Sequence, residues 1–275
     1  MTNEFDIVAV FRDHAIGAFT FDFGRYLIAT VIMALIIWGV RKTLWGAQRK
    51  IQQCEATAAD YRREIIASFQ TCIVYFGVTI VMIWGVSIGI FQRIEGSFGW
   101  PIDLAILAAY IIAHDAYFYW AHRAMHTRAL FKIFHRHHHR SVTPTPFAAY
   151  SFAVPEAVVI AAFVPLWQLF VATPGWVLFT FLNFQIIRNV MGHSGYELFP
   201  RWWLSSPLTR WINTTTHHDL HHAGSFNHNF GLYFTYWDRL MGTENPDYAA
   251  TFDRVTARQD NAPTTPGMPS AATPR

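Results

Sequence analysis

Long uninterrupted apolar runs set the frame of the chain. The first covers 26–40 and ends at Arg41 and Lys42; with 21–24 added and Arg25 snorkelling, it reaches about 19 residues. A second run, 69–91, is long enough to span a bilayer, and a third opens at Trp100-Pro101 and continues to Trp120. Two shorter runs, 155–171 and 176–190, flank Ala172-Thr173-Pro174-Gly175 and predict a hairpin whose arms barely cross. Residues 1–21 carry Asp6, Arg12 and Asp13 without a basic-then-apolar order, so no cleavable signal is expected. The charged 41–67 segment predicts an interfacial amphipathic helix. A single domain over 1–256 is expected, with a catalytic core at about 100–248 and a Pro-rich disordered tail over 257–275.

These patterns give an all-α fold: an integral-membrane helical bundle of about four spans, or three plus a re-entrant hairpin. Composition agrees, since 52% of residues are hydrophobic and only 14% charged, well below a soluble domain's share. The net charge of +3 is too small to argue for nucleic acid, and two cysteines make neither a disulfide framework nor a zinc knuckle. Basic residues concentrate at Arg41, Lys42, Arg49, Lys50, Arg62 and Arg63, so that loop is expected on the cytoplasmic side. Counting spans from there puts 122–139, 193 and 217–222 on the same face, under a cytoplasmic histidine-rich helical cap. A bacterial inner membrane is the expected location.

Histidine is the outlier, with 14 in a chain poor in other titratable groups. His122 and His126 stand four apart, a spacing that puts two imidazoles on one helical face. His135, His138 and His139 follow as i, i+3, i+4, with His137 pointing away into solvent, and His218, His221 and His222 repeat the spacing. Asp115 falls within about 20° of His122 and His126 on a helical wheel, where it could fix a ligand's tautomer. Imidazole suits zinc, copper, iron or nickel, and eight or more ligands exceed what one ion accepts, so two metals are the natural reading. No HExxH stands here, and no thiolate lies near the clusters. Glu156, on an apolar helix, is an ionisable group inside the membrane and a functional candidate.

The blocks HDAYFYWAHRAMH, HRHHHRSVTPTPFAAYSF, GHSGYELFP, TTTHHDLHH and NFGLYFTYWDRLMGT, in that order, resemble the fatty acid hydroxylase/sterol desaturase superfamily. The resemblance implies a membrane enzyme with a non-haem di-iron centre that hydroxylates or desaturates a lipid C–H bond with O2 and two electrons. It implies nine metal ligands: His122, His126, His135, His138, His139, His193, His218, His221 and His222. Glu197 closes the block that begins at His193; with Asp115, Glu156 and Asp219 it completes four candidate catalytic acids. His217 could replace His218 but is the lesser choice; His114 and His228 are read as structural, and Asp238 as a supporting acid. One departure stands out: Ala153 occupies the position of a histidine that family members often carry three residues before the glutamate.

The implied cofactors are two iron ions, with O2 as co-substrate; the implied partners are a lipid substrate and an external reductase with a ferredoxin or cytochrome. A non-enzymatic metal carrier or sensor is the alternative. A membrane cytochrome is the third class, and would need isolated histidines within the spans.

Overall fold

The computed structural model describes residues 6–224 and 226–257. The proposed tail from 258 onward lies outside the described residues. Helix α1 (Ile7–Val40) starts at Asp6, whose side chain accepts from the Val8 amide, and runs much further than the apolar stretch alone predicts. It absorbs Asp22 and Arg25 because each finds a partner in the interior: Arg25 Nη2 lies 3.1 Å from Asp22 Oδ1, and Thr79 Oγ1 donates to Asp22 Oδ2 at 2.6 Å.

The 41–67 segment departs from the expected single interfacial helix. A short α2 (Leu44–Arg49) is followed by extended chain, and Thr57 and Asp60 form a reciprocal capping box that opens α3 (Ala58–Ser87). Local capping therefore decides where the second span begins, eleven residues before its apolar run. Gly89, at φ 77°, turns the chain after α3. Helix α4 (Trp100–Met125) begins with proline in its first turn, as the sequence predicts. The helices α1, α3 and α4 are each long and apolar enough to cross a membrane.

The short apolar runs become a broken arm, α6 (Val154–Ala161) and α7 (Phe163–Gln168), and a continuous one, α8 (Gly175–Gly192); a single turn, α5 (Phe131–Phe134), precedes them. The hairpin tip is pinned. Strand β1 (Arg93–Ile94) pairs in parallel with β2 (Thr173–Pro174), and the Gln92 amide donates to Gln168 O at 2.6 Å. Since 93–94 lies between the end of α3 and the start of α4, the tip reaches the bundle's far end, and the arms traverse it rather than re-entering shallowly. At the opposite end, α9 (Thr215–Ala223), α10 (Tyr236–Leu240) and α11 (Tyr248–Thr256) form the cap. Stacked and edge-on aromatic rings fill the bundle, with Tyr150 against Tyr26 and Tyr75, and Tyr110 against Trp167 and Phe181.

Candidate metal centre

Nine imidazoles converge at the capped end of the bundle, and they are the nine implied by the resemblance. His122, His126, His135, His139 and His221 offer ligand atoms that all lie within 4.8 Å of one another; His138, His193, His218 and His222 form a second such set beside it. Eight of the nine are buried, His126 being partly exposed.

The grouping does not follow the motifs. His135 and His139, four apart, go to the first set while His138 goes to the second; His218 and His222, four apart, go to the second while His221 goes to the first. Each three-histidine motif thus straddles both sets. The rule is angular, since residues four apart nearly eclipse on a helix and a residue one position away is rotated by about 100°. In α9 that rule acts on a regular helix. In 135–139 the chain is not the continuous helix expected: His135 ends α5, and a 3-10 turn (His138–Arg140) follows. The half-buried His137 belongs to neither set.

The ring nitrogens show what the clusters need. In the first set His122 Nε2 lies 2.9 Å from His135 Nε2, and His139 Nε2 lies 3.1 Å from His126 Nε2 and 3.0 Å from His221 Nε2. In the second, His193 Nε2 is 3.2 Å from His138 Nε2 and 3.1 Å from His218 Nε2, which is 3.2 Å from His222 Nε2. Meanwhile Nδ1 of His138 and of His193 face the carbonyls of Ser151 and Asn189 at 3.3 and 2.8 Å. A carbonyl only accepts, so both rings carry their proton on Nδ1 and present bare lone pairs to each other at Nε2. Such a contact is repulsive unless a cation sits between the lone pairs. The 2.9–3.2 Å spacings match neighbouring ligands on one ion at a metal–nitrogen distance of about 2.1 Å. The donor set therefore fits two first-row metal ions.

Burial, reinforced by neighbouring imidazoles, holds His135, His138, His139, His218 and His222 well below the ordinary histidine value, and burial takes His193 down to about 4. Neutral imidazole is the form a metal binds.

Outside the rings, one carboxylate and one loop do the orienting. Glu156 Oε1 lies 2.6 Å from His135 Nδ1. His122 Nδ1 donates to Phe230 O at 2.8 Å and His221 Nδ1 to His228 O at 2.7 Å. The loop bearing those carbonyls is held by Asp238, which accepts from the amides of Phe230 and Gly231 at 2.9 and 2.8 Å. Asn229 supports it at φ 61°, its side chain donating to His217 O at 2.8 Å.

The Asp115 expectation needs correction. Its Oδ1 accepts from the Tyr233 and Phe234 amides at 2.7 and 3.3 Å, and the tautomer of His122 is set by Phe230 O instead. Glu197 accepts from the amides of Phe199 and Thr216, both at 2.9 Å, and so anchors the first turn of α9. Asp219 accepts from Gln52 at 2.9 Å on the far side of α9, with burial raising its pKa to about 7. His217 joins neither set, lying 3.4 Å from Asp238 Oδ2 and edge-on to Tyr248. His114 sits among the rings of Phe163, Phe181 and Tyr233. Both sets assemble with only a methyl group at Ala153. The carbonyl-bearing loop 228–231 went unread because backbone acceptors leave no mark in a sequence.

The fatty acid hydroxylase family model matches residues 107–243, about half of the chain. The chain is 34% identical over 144 residues to a methylsterol monooxygenase of Aspergillus fumigatus, covering 50% of this chain and 47% of that protein. It is 32% identical over 149 residues to a delta(7)-sterol 5(6)-desaturase of Gibberella zeae, covering 53% and 43% respectively. With the very-long-chain aldehyde decarbonylase CER1 of Arabidopsis thaliana it shares 29% over 170 residues, 59% of this chain and 27% of that one. Across such relatives the chain spans between 24% and 56% of their length. No solved structure matches. These relatives are eukaryotic, so they lend no support to a bacterial inner membrane. Matched blocks and a helical membrane architecture agree: the chain belongs to the fatty acid hydroxylase/sterol desaturase superfamily.

Proposed function

We propose that this chain is a membrane-bound non-haem di-iron oxygenase that hydroxylates or desaturates a lipid C–H bond with O2 and two electrons from an external reductase, ferredoxin or cytochrome. The observation that carries the reading is the pair of bare Nε2 lone pairs of His138 and His193, 3.2 Å apart, in one of two adjoining all-imidazole sets. Relatives named as a methylsterol monooxygenase, a sterol desaturase and an aldehyde decarbonylase support a lipid substrate. Iron, when bound, would supply the reductive activation of O2.

In this reading His122, His126, His135, His139 and His221 hold one iron, and His138, His193, His218 and His222 the other. Glu156 orients His135; Glu197 sets the start of α9; Asp238 holds the Phe230-Gly231 backbone that faces His122, and Asp115 the Tyr233-Phe234 backbone that follows it; Asp219 ties α9 to Gln52. Burial of the rings keeps water from the site and favours retained ions over exchanged ones, which separates this reading from the carrier or sensor. The site faces the cytoplasm, where the basic 41–63 residues lie at the same end.

The test is metal analysis of the purified protein by plasma mass spectrometry with Mössbauer spectra, followed by lipid oxidation with O2 and a reductant. About two irons per chain with a coupled diferric spectrum, and a product heavier by one oxygen or lighter by two hydrogens, are the expected results. Zinc or copper in both sets, persisting after iron reconstitution, would overturn the reading.

A further inference from the structure

Away from the histidines, the spans line a half-open cavity of about 430 Å³ reaching from the hairpin tip at Thr173 to Gln185 and His114. That volume suits a lipid-sized ligand, and most of the lining is apolar. A polar band interrupts it on α1 and α3. Arg25 Nη2 pairs with Asp22, Nη1 donates to Leu182 O at 3.1 Å, and Thr79 donates to Asp22. Three side-chain atoms of lining residues are buried without any hydrogen-bond partner: Arg25 Nε, Tyr75 Oη and His114 Nδ1. A polar atom buried without a partner carries an unrecovered desolvation cost, so three of them on residues that line one cavity mark a place where a ligand's polar group completes the bonding.

The band also selects what that group can be. Arg25 and Asp22 cancel each other's charge, so the band has no surplus cation for an ionised carboxylate, and Asp22 would repel one in a low-dielectric interior. A neutral oxygen can accept from Arg25 or Tyr75 without such a penalty. The inner end of the cavity is also well placed. Ile160, in its wall, follows Glu156 by one helical turn, about 6 Å, and Glu156 holds His135.

We propose that this cavity is a lipid-binding site in which Arg25, Asp22 and Tyr75 recognise one neutral oxygen group, a hydroxyl or carbonyl, on a long-chain apolar molecule. That the bound lipid is the substrate rests on the function proposed above; the binding itself does not.

The experiment titrates the detergent-purified, iron-loaded protein with two fluorescent probes of identical chain, parinaryl alcohol and parinaric acid, at pH 8 where the acid is ionised. The alcohol binds about tenfold tighter than the acid. Tyr75→Phe weakens the alcohol about five- to tenfold and leaves the acid unchanged. Leu178→Trp and Val164→Trp, which fill the cavity and remove no polar atom, abolish binding of both, with iron content equal to that of the unaltered protein. Three results would each overturn the proposal: equal affinity for acid and alcohol, binding untouched by both tryptophans, or a Tyr75→Phe protein that folds, loads iron and binds as before. Alcohol binding in this pattern without lipid oxidation refutes the oxygenase reading alone. Oxidation that survives both tryptophans refutes the cavity alone.

Discussion

Glu156 Oε1 stands 2.6 Å from Nδ1 of His135, the one hydrogen bond between a carboxylate and an imidazole of the two sets among the described residues. Its other oxygen is buried without a partner. Glu156→Ala is expected to weaken metal binding by about 10- to 100-fold, because a ring that loses its outer partner loses orientation and basicity. Glu156→Gln, which keeps an acceptor of the same shape, should fall between. Competition with a chelator of known iron affinity measures both. Equal affinity in all three proteins would remove Glu156 from the metal site.

The straddling of both sets by each three-histidine motif makes single substitutions selective. His138→Ala removes a ligand from the four-membered set only, and His221→Ala from the five-membered set only. With His138→Ala, bound iron should drop from about two to about one per chain and the coupled diferric signal should vanish, leaving an isolated ferric spectrum. His221 has four remaining companions, so His221→Ala should keep more iron than His138→Ala. Iron content and Mössbauer spectra of the two variants decide this. Identical losses would mean that the two sets do not act as separate sites.

How much of this was legible beforehand varies with the kind of force involved. The spans could be read because burial in lipid demands long apolar runs, and α4 begins at Trp100 as the pattern says. The nine histidines could be found because their spacing and the family blocks mark them. Their division between sets could not, since it depends on rotation about α9 and on the turn at 135–139. The role expected for Asp115 fails because a helical wheel shows direction and not competition: two backbone amides reach it first. The start of α3 was hidden because Thr57 and Asp60 cap a helix whose first turns are charged rather than apolar.

Asp238 governs two imidazoles without touching either. It accepts from the amides of Phe230 and Gly231, and the carbonyls of His228 and Phe230 accept hydrogen bonds from Nδ1 of His221 and His122. Asp238→Ala should cost about 2–4 kcal/mol, since it orphans the two buried amides and leaves the Thr243 hydroxyl only its bond to Tyr119. Gly231→Ala should be as damaging: a Cβ there would lie 2.5 Å from Phe234 O and 2.9 Å from Asp238 Oδ2. In both variants the five-membered set should lose iron before the four-membered one. Thermal unfolding of the metal-free protein isolates the stability effect from the metal effect. An unaltered melting temperature for both variants would show that the loop is held by other contacts.

Acid should strip the metals, and the sign follows from burial. The imidazoles of His138, His139, His218 and His222 are held below their ordinary value of 6.5 in the folded chain, so the unfolded chain binds protons that the folded chain refuses. Stability of the metal-free protein is then full above about pH 6.5. It falls as pH drops through that value, by about 1.4 kcal/mol per pH unit for each such histidine. Metal opposes the loss by occupying the same lone pairs, and each ion released must be replaced by protons. The melting temperature of the metal-free protein should therefore decline steeply between about pH 6.5 and 5, while the iron-loaded protein holds further down before releasing iron abruptly. Melting curves at half-unit steps of pH, with and without iron, read this directly. Parallel decline of the two forms would mean that the histidines do not bind the metal through the nitrogens that titrate.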